Sequence, residues 1–300
     1  ASGLAAGGLF LRTWASSGRL GSERLLFELV IPASAISAGL VGLLIRLRTA
    51  ARAADAAFPS DRRQQFGRKG LMVSSCSLLF IASCCYRALN VADEGASMCR
   101  GRATPFNAPV AGRAVATVGE IALVVQISTF LDDTSHRLGI ANDLWSRRRA
   151  FTMAPVICAE CFSWAGVLSG ISRFYCCEYL LWMCISLAWA WDAAECLHKS
   201  ERFSDVVTHA TVLLGGLALF AFNALLEIPH FFRYHPSDTV DASTVEVLSI
   251  FECFHDRDSP LWIKRLPFFF SYFFGCSWFS AALSYRYLRR GMGSAALKQA

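Results

Sequence analysis

The sequence predicts an all-α fold, a polytopic transmembrane helical bundle of about seven spans. Three observations carry that reading. The 300 residues are 54% hydrophobic and only 17% charged, with a mean hydropathy of +0.40, whereas average soluble domains hold about 25% charged residues. The apolar residues are gathered into runs of about 20, the length a helix needs to cross hydrocarbon. The basic residues cluster between the runs, as loops that set membrane orientation do.

The expected spans are Leu25–Leu47, Leu71–Leu89, Pro109–Leu131, Phe151–Ser172, Cys176–Leu197, Thr208–His230 and Leu266–Leu288. Residues 1–24 stand apart. They carry Arg12, Arg19 and Arg24 against the single acid Glu23. That composition fits the remnant of an organelle-targeting segment, or an interfacial amphipathic helix led by Leu9, Phe10, Leu11 and Trp14. Residues 25–290 then make the bundle and 291–300 a C-terminal tail.

Arg48, Arg52, Arg62, Arg63, Arg68 and Lys69 follow the first span, Arg137 and Arg147 to Arg149 the third, and Arg286, Arg289, Arg290 and Lys298 the last. In a seven-span chain these share one side, here termed the basic end, which the positive-inside rule assigns to the interior compartment. The longest connection, about 231–265, holds a capping-box pattern from Ser243 to Glu246 and an interfacial anchor from Leu261 to Arg265. Cys99 and Cys253 fall in loops on the opposite side, where a disulfide is an open expectation. Most of the other cysteines lie within spans, where Cys behaves as a small hydrophobe.

Polar residues inside the spans are few. Glu120 and Glu160 lie about 11 and about 9 residues into antiparallel neighbours, so both carboxyls are expected near mid-membrane. A carboxylate there costs roughly 2.5–3.5 kcal/mol on insertion scales and requires a partner. Arg113 precedes Glu120 by seven residues, on the same face but about 10 Å along the axis, and is expected to reach only part of the way. Thr117, Ser163 and Gln126 add hydrogen-bonding capacity. Such a core suits a proton or ion relay or a polar ligand, or simply locks helix register. A second group, Glu28, Glu178, Glu227 and His230, is expected at the rim opposite the basic end, as a metal or proton-entry cluster or as ordinary solvated charges.

Two Glu-x-x-His patterns, Glu195 to His198 and Glu227 to His230, resemble in composition the carboxylate set of di-iron bundles. The topology puts them at opposite ends, and no metal site is assigned. Cys158 and Cys161 form a C-x-x-C at mid-span, away from any helix terminus that would stabilise a thiolate. His209 is a lone candidate axial ligand for a haem or chlorophyll. No catalytic residue is assigned, because no phosphate-cradling loop, nucleophile elbow or H-E-x-x-H occurs. The net charge of +6 is spread over loops without an exposed basic domain, which excludes nucleic-acid binding.

The aromatic last span, from Phe268 to Phe279, suits bound lipids, a pigment or a quinone. The expected partners are the bilayer and other membrane subunits. The expectation is therefore an accessory subunit of an organellar energy-transducing complex, in a mitochondrial inner or thylakoid membrane. The alternative is a proton- or ion-coupled transporter using Glu120 and Glu160.

Overall fold

A computed structural model describes residues 30–55, 61–90, 92–93, 96–97, 105–140, 143–171, 173–233 and 270–296. Among these, seven helices follow one another. They are α1 (Ile31–Asp55), α2 (Asp61–Asn90), α3 (Pro109–Arg137), α4 (Asp143–Ser169), α5 (Arg173–His198), α6 (Phe203–Phe222) and α7 (Ser277–Ala296). A π-turn, Asn223–Glu227, continues α6 into Ile228–Arg233, and another, Phe270–Cys276, leads into α7. The first six are long and apolar enough to cross a bilayer. The chain is thus an all-α bundle with the make-up of a multi-pass membrane protein. A two-residue antiparallel ladder, Ala92–Asp93 on Ala96–Ser97, is the one extended element described.

The helices outrun the apolar segments. α1 continues to Asp55, α2 starts at Asp61, α4 starts at Asp143 and α7 reaches Ala296. Arg62, Arg63 and Arg147 to Arg149 therefore sit on helical turns, not in loops, and the last helix passes the expected boundary at 291. The cause is simple: backbone hydrogen bonding is as available in the headgroup layer as in hydrocarbon, so hydropathy marks the membrane edge and not the helix end. The targeting-like segment, Glu28, the capping box, the anchor before span seven and both Cys99 and Cys253 lie outside the described residues.

Two turns set neighbouring helices antiparallel. Gly139 takes φ +68° after α3, while Ile140 N–H donates to Ser135 O at 3.0 Å, a Schellman-type closure. Gly170 has the same φ after α4, and its N–H donates to Gly166 O at 2.9 Å.

α3 is the centre of the bundle. It packs against α2, α4 and α5 and touches α7, and 67% of its most apolar window is buried, against 22% for α6. Its contact with α2 is close: a Cβ on Gly119 would lie 2.5 Å from both Cβ and Oγ of Ser83. α7 fills the groove between α1 and α2. α6 packs chiefly on α5. Phe80, Ile81, Val124, Phe130, Ile185, Phe273 and Tyr287 belong to the core that joins these helices. Leu40, Leu44, Leu214 and Leu225 point outward, the arrangement expected of side chains facing lipid.

Candidate functional site

The end of the bundle opposite the basic end is built from the C-termini of α2 and α4 and the N-termini of α3 and α5. Each contributes an ionisable side chain pointing inward. Arg87 lies about 5 Å from the end of α2, and Glu178 about 8 Å from the start of α5. Glu160 lies about 14 Å from the end of α4 and Glu120 about 16 Å from the start of α3, at 1.5 Å per residue. These four and Arg113 are all buried, none more than 7% exposed.

Arg113 is the hub. Its Nη2 donates to Glu120 Oε2 at 2.8 Å and to Glu160 Oε2 at 2.6 Å. Its Nη1 donates to Ser163 Oγ at 2.5 Å and pairs with Glu178 Oε1 at 3.4 Å. The side chain spans the two helical turns to Glu120 completely, farther than its position along the axis suggests, because a guanidinium on a three-carbon stem lies down along the helix face. Glu120 is held from a second side as well. Arg87 Nη1 donates to its Oε1 at 3.1 Å, and the Tyr272 hydroxyl donates to the same oxygen at 3.0 Å. Thr117 Oγ1 donates to Glu160 Oε2 at 2.6 Å and accepts from Trp164 Nε1 at 3.0 Å. The carboxyl groups of Glu120 and Glu160 thus meet on the same nitrogen, Arg113 Nη2.

Among the described residues the set is not closed: Glu160 Oε1 and Glu178 Oε2 are buried with no hydrogen-bond donor on them. Three carboxyl groups share two guanidiniums, so the described cluster carries one more acid than base.

The structure regroups the candidate residues. Arg113, Thr117, Glu120, Glu160 and Ser163 come together, and Glu178 joins them instead of lying on a solvated rim, because α5 turns that face toward α3 and α4. Gln126 belongs to a separate node: its Nε2 donates to Ser280 O at 2.9 Å and Ser284 Oγ at 3.1 Å. Ser280 Oγ donates to Gln126 Oε1 at 2.6 Å and to Ser77 Oγ at 2.9 Å. Glu227 is buried and His230 half-buried, both in the last turns of the α6 column and neither among the partners of Arg113.

Arg87, Tyr272 and Trp164 complete the site. Arg87 had a legible signal, a basic residue just inside the end of an apolar run. Tyr272 was hidden among the rings of span seven. Elsewhere, Glu195 accepts from Trp191 at the basic end (2.7 Å). Cys158 and Cys161 are exposed and free. His209 Nδ1 bonds Ser200 Oγ at 2.8 Å. No three His, Cys, Asp or Glu converge as metal ligands among the described residues.

These features define a polytopic helical protein with a buried Arg–Glu cluster. Comparison with protein families, curated proteins and solved structures finds no match for the chain.

Proposed function

We propose that the protein carries a proton or a small cation across its membrane, with the Arg113 cluster as the exchange site. The observation that supports this is the surplus acid among the described residues: Glu120, Glu160 and Glu178 against Arg87 and Arg113, with buried oxygens of Glu160 and Glu178 that no described donor reaches. Groups that serve only to lock helices are best fully paired, since an unmatched charge in hydrocarbon is costly. Three carboxyls and two guanidiniums reach neutrality when one further proton or monovalent cation joins them. Glu160 and Glu178 offer the free lone pairs that receive it, and Arg113 holds both in place. Ionisable groups within spans mark such pathways in pumps and transporters.

The test is proton movement in proteoliposomes holding the full chain and an entrapped pH-sensitive dye. The unaltered protein should dissipate an imposed gradient, and Glu160→Gln should abolish this while eluting as the same particle from gel filtration. Equal rates for both overturn the proposal.

A second reading, an accessory subunit of a larger organellar assembly, is supported by the outer face of α6. Leu214, Leu217, Leu225, Leu226 and Phe232 are exposed there on a helix that leans chiefly on α5, a surface on which a neighbouring membrane subunit can pack. Native-gel migration after mild extraction tests it: a particle much larger than 33 kDa supports the reading, and a free monomer overturns it.

A further inference from the structure

The seam between α2, α3 and α7 holds two polar stations separated by a stretch whose one buried hydroxyl among the described residues is that of Ser277. The first is Glu120 with Arg87 and Tyr272. The second is the Gln126–Ser280–Ser284–Ser77 node, about 9 Å farther toward the basic end at 1.5 Å per residue. Another 10 Å or so beyond lies the Lys69–Asp133 pair, at 3.6 Å and partly accessible.

Rings crowd that stretch beside Ser277. Phe80 and Phe273 are fully buried, as is Val124. The Phe80 and Tyr272 rings meet edge-on with centroids 5.8 Å apart, and Tyr272 meets Phe273 at 5.4 Å. The Arg87 guanidinium lies 5.2 Å from the Tyr272 centroid and 5.4 Å from that of Phe273. At the level of Gly119, α2 and α3 are in close contact through Ser83 and Phe80.

Two features tie these rings to the ionic cluster. Arg87 and the Tyr272 hydroxyl both bond Glu120 Oε1, so the cluster and the rings share their anchors. Tyr272 and Phe273 also ride on the π-turn Phe270–Cys276. Such a turn holds one residue more than an α-turn, and its register shift moves side chains without breaking the helix.

We propose that Phe80, Tyr272 and Phe273 form a gate between the Glu120 cluster and the Gln126 node, and that the node is the second station of the transport path. The inference rests on the carrier reading above. With Glu120 ionised, Arg87 and Tyr272 are drawn to it and the rings stay closed. When a proton joins Glu160, Arg113 Nη2 is left to Glu120 alone, the pull of Glu120 on Arg87 and Tyr272 weakens, the π-turn shifts, and the proton gains the hydroxyls and amide of the node. Closure by apolar rings is the dewetting principle that hydrophobic gates use.

The experiment compares passive proton leak through proteoliposomes of the full chain with that of Phe80→Ala and Phe80→Ala/Gln126→Leu. Phe80→Ala should raise the leak roughly tenfold or more, and Gln126→Leu should return it to the starting level. A Phe80→Ala leak equal to that of the unaltered protein overturns the gate, and a leak that survives Gln126→Leu overturns the node as second station. If Phe80→Ala does not elute as a single particle, Phe80→Leu replaces it under the same criteria. Loss of gradient dissipation in Glu160→Gln, with no effect of either Phe80 variant, leaves the carrier reading standing and sinks only the gate. Absence of any dissipation in the unaltered protein sinks both.

Discussion

Arg113 and Glu160 are 47 positions apart in the chain, yet the guanidinium Nη2 and the carboxylate Oε2 lie 2.6 Å apart between α3 and α4. The same nitrogen holds Glu120 at 2.8 Å. One hydrogen-bond donor group thus joins two helices and neutralises part of two acids at once.

Replacing Arg113 should therefore be severe. Arg113→Met strips Glu160 and Glu178 of their cation, and breaking a buried pair in this way costs about 3–5 kcal/mol. The melting temperature in detergent should fall sharply. Adding Glu160→Gln should recover part of the loss, because one of the stranded charges is then removed. Melting curves of the single and double variants check both, and a double variant no more stable than Arg113→Met would show that the pair is not coupled.

Gly119 should tolerate no side chain. An added Cβ would meet Cβ and Oγ of Ser83 at 2.5 Å, so α2 and α3 must part. The expected cost of Gly119→Ala is about 1–3 kcal/mol, the usual penalty for overpacking. Ser83→Gly removes the obstructing atoms. It also loses the Ser83 Oγ bond to Val115 O at 2.8 Å and adds a helical glycine, so alone it should cost about 1 kcal/mol. The pair should be less damaging than the sum of the singles, the signature of a shared contact in a double-mutant cycle.

Adjacent glycines on α6 should behave oppositely. Gly216 faces α5, where a Cβ would lie 2.7 Å from Ser186 O, whereas Gly215 has nothing within 4 Å. Gly216→Ala should loosen the α5–α6 contact and lower stability by about 1–3 kcal/mol. Gly215→Ala should be neutral or stabilising by up to about 1 kcal/mol through helix propensity. Thermal melts of the two variants side by side decide it. Equal effects would place α6 in a different rotation about its axis.

The helical class was legible because bilayer thickness imposes a run length that hydropathy reports directly. Helix ends were not legible, as Asp61 and Asp143 show: both begin helices well outside the apolar runs. Glu120, Glu160 and Arg113 could be named because charge within a span is rare enough to stand out. Distance from the helix start puts Glu178 at the rim, and rotation about the α5 axis, which turns it toward Arg113, cannot be read from one chain. Tyr272 could not be separated from its aromatic neighbours, since its hydroxyl matters only once Glu120 is known to lie opposite. Gln126 was grouped with the acids by proximity along α3, while its real partners come from α7, more than 150 positions away.

Among the described residues α6 packs chiefly on α5, with Asp205 paired to Arg286 of α7 at 2.7 Å and His209 beside Phe130 of α3. A helix with so much of its apolar surface outside these contacts yields to detergent or heat before α3 does. Its amide protons should exchange ahead of those in α3, and dissolution of the assembly should begin there. Loosened there, the column parts from α5 while the cluster on α2, α3, α4 and α5 stands, a division of labour between a wall and a working interior.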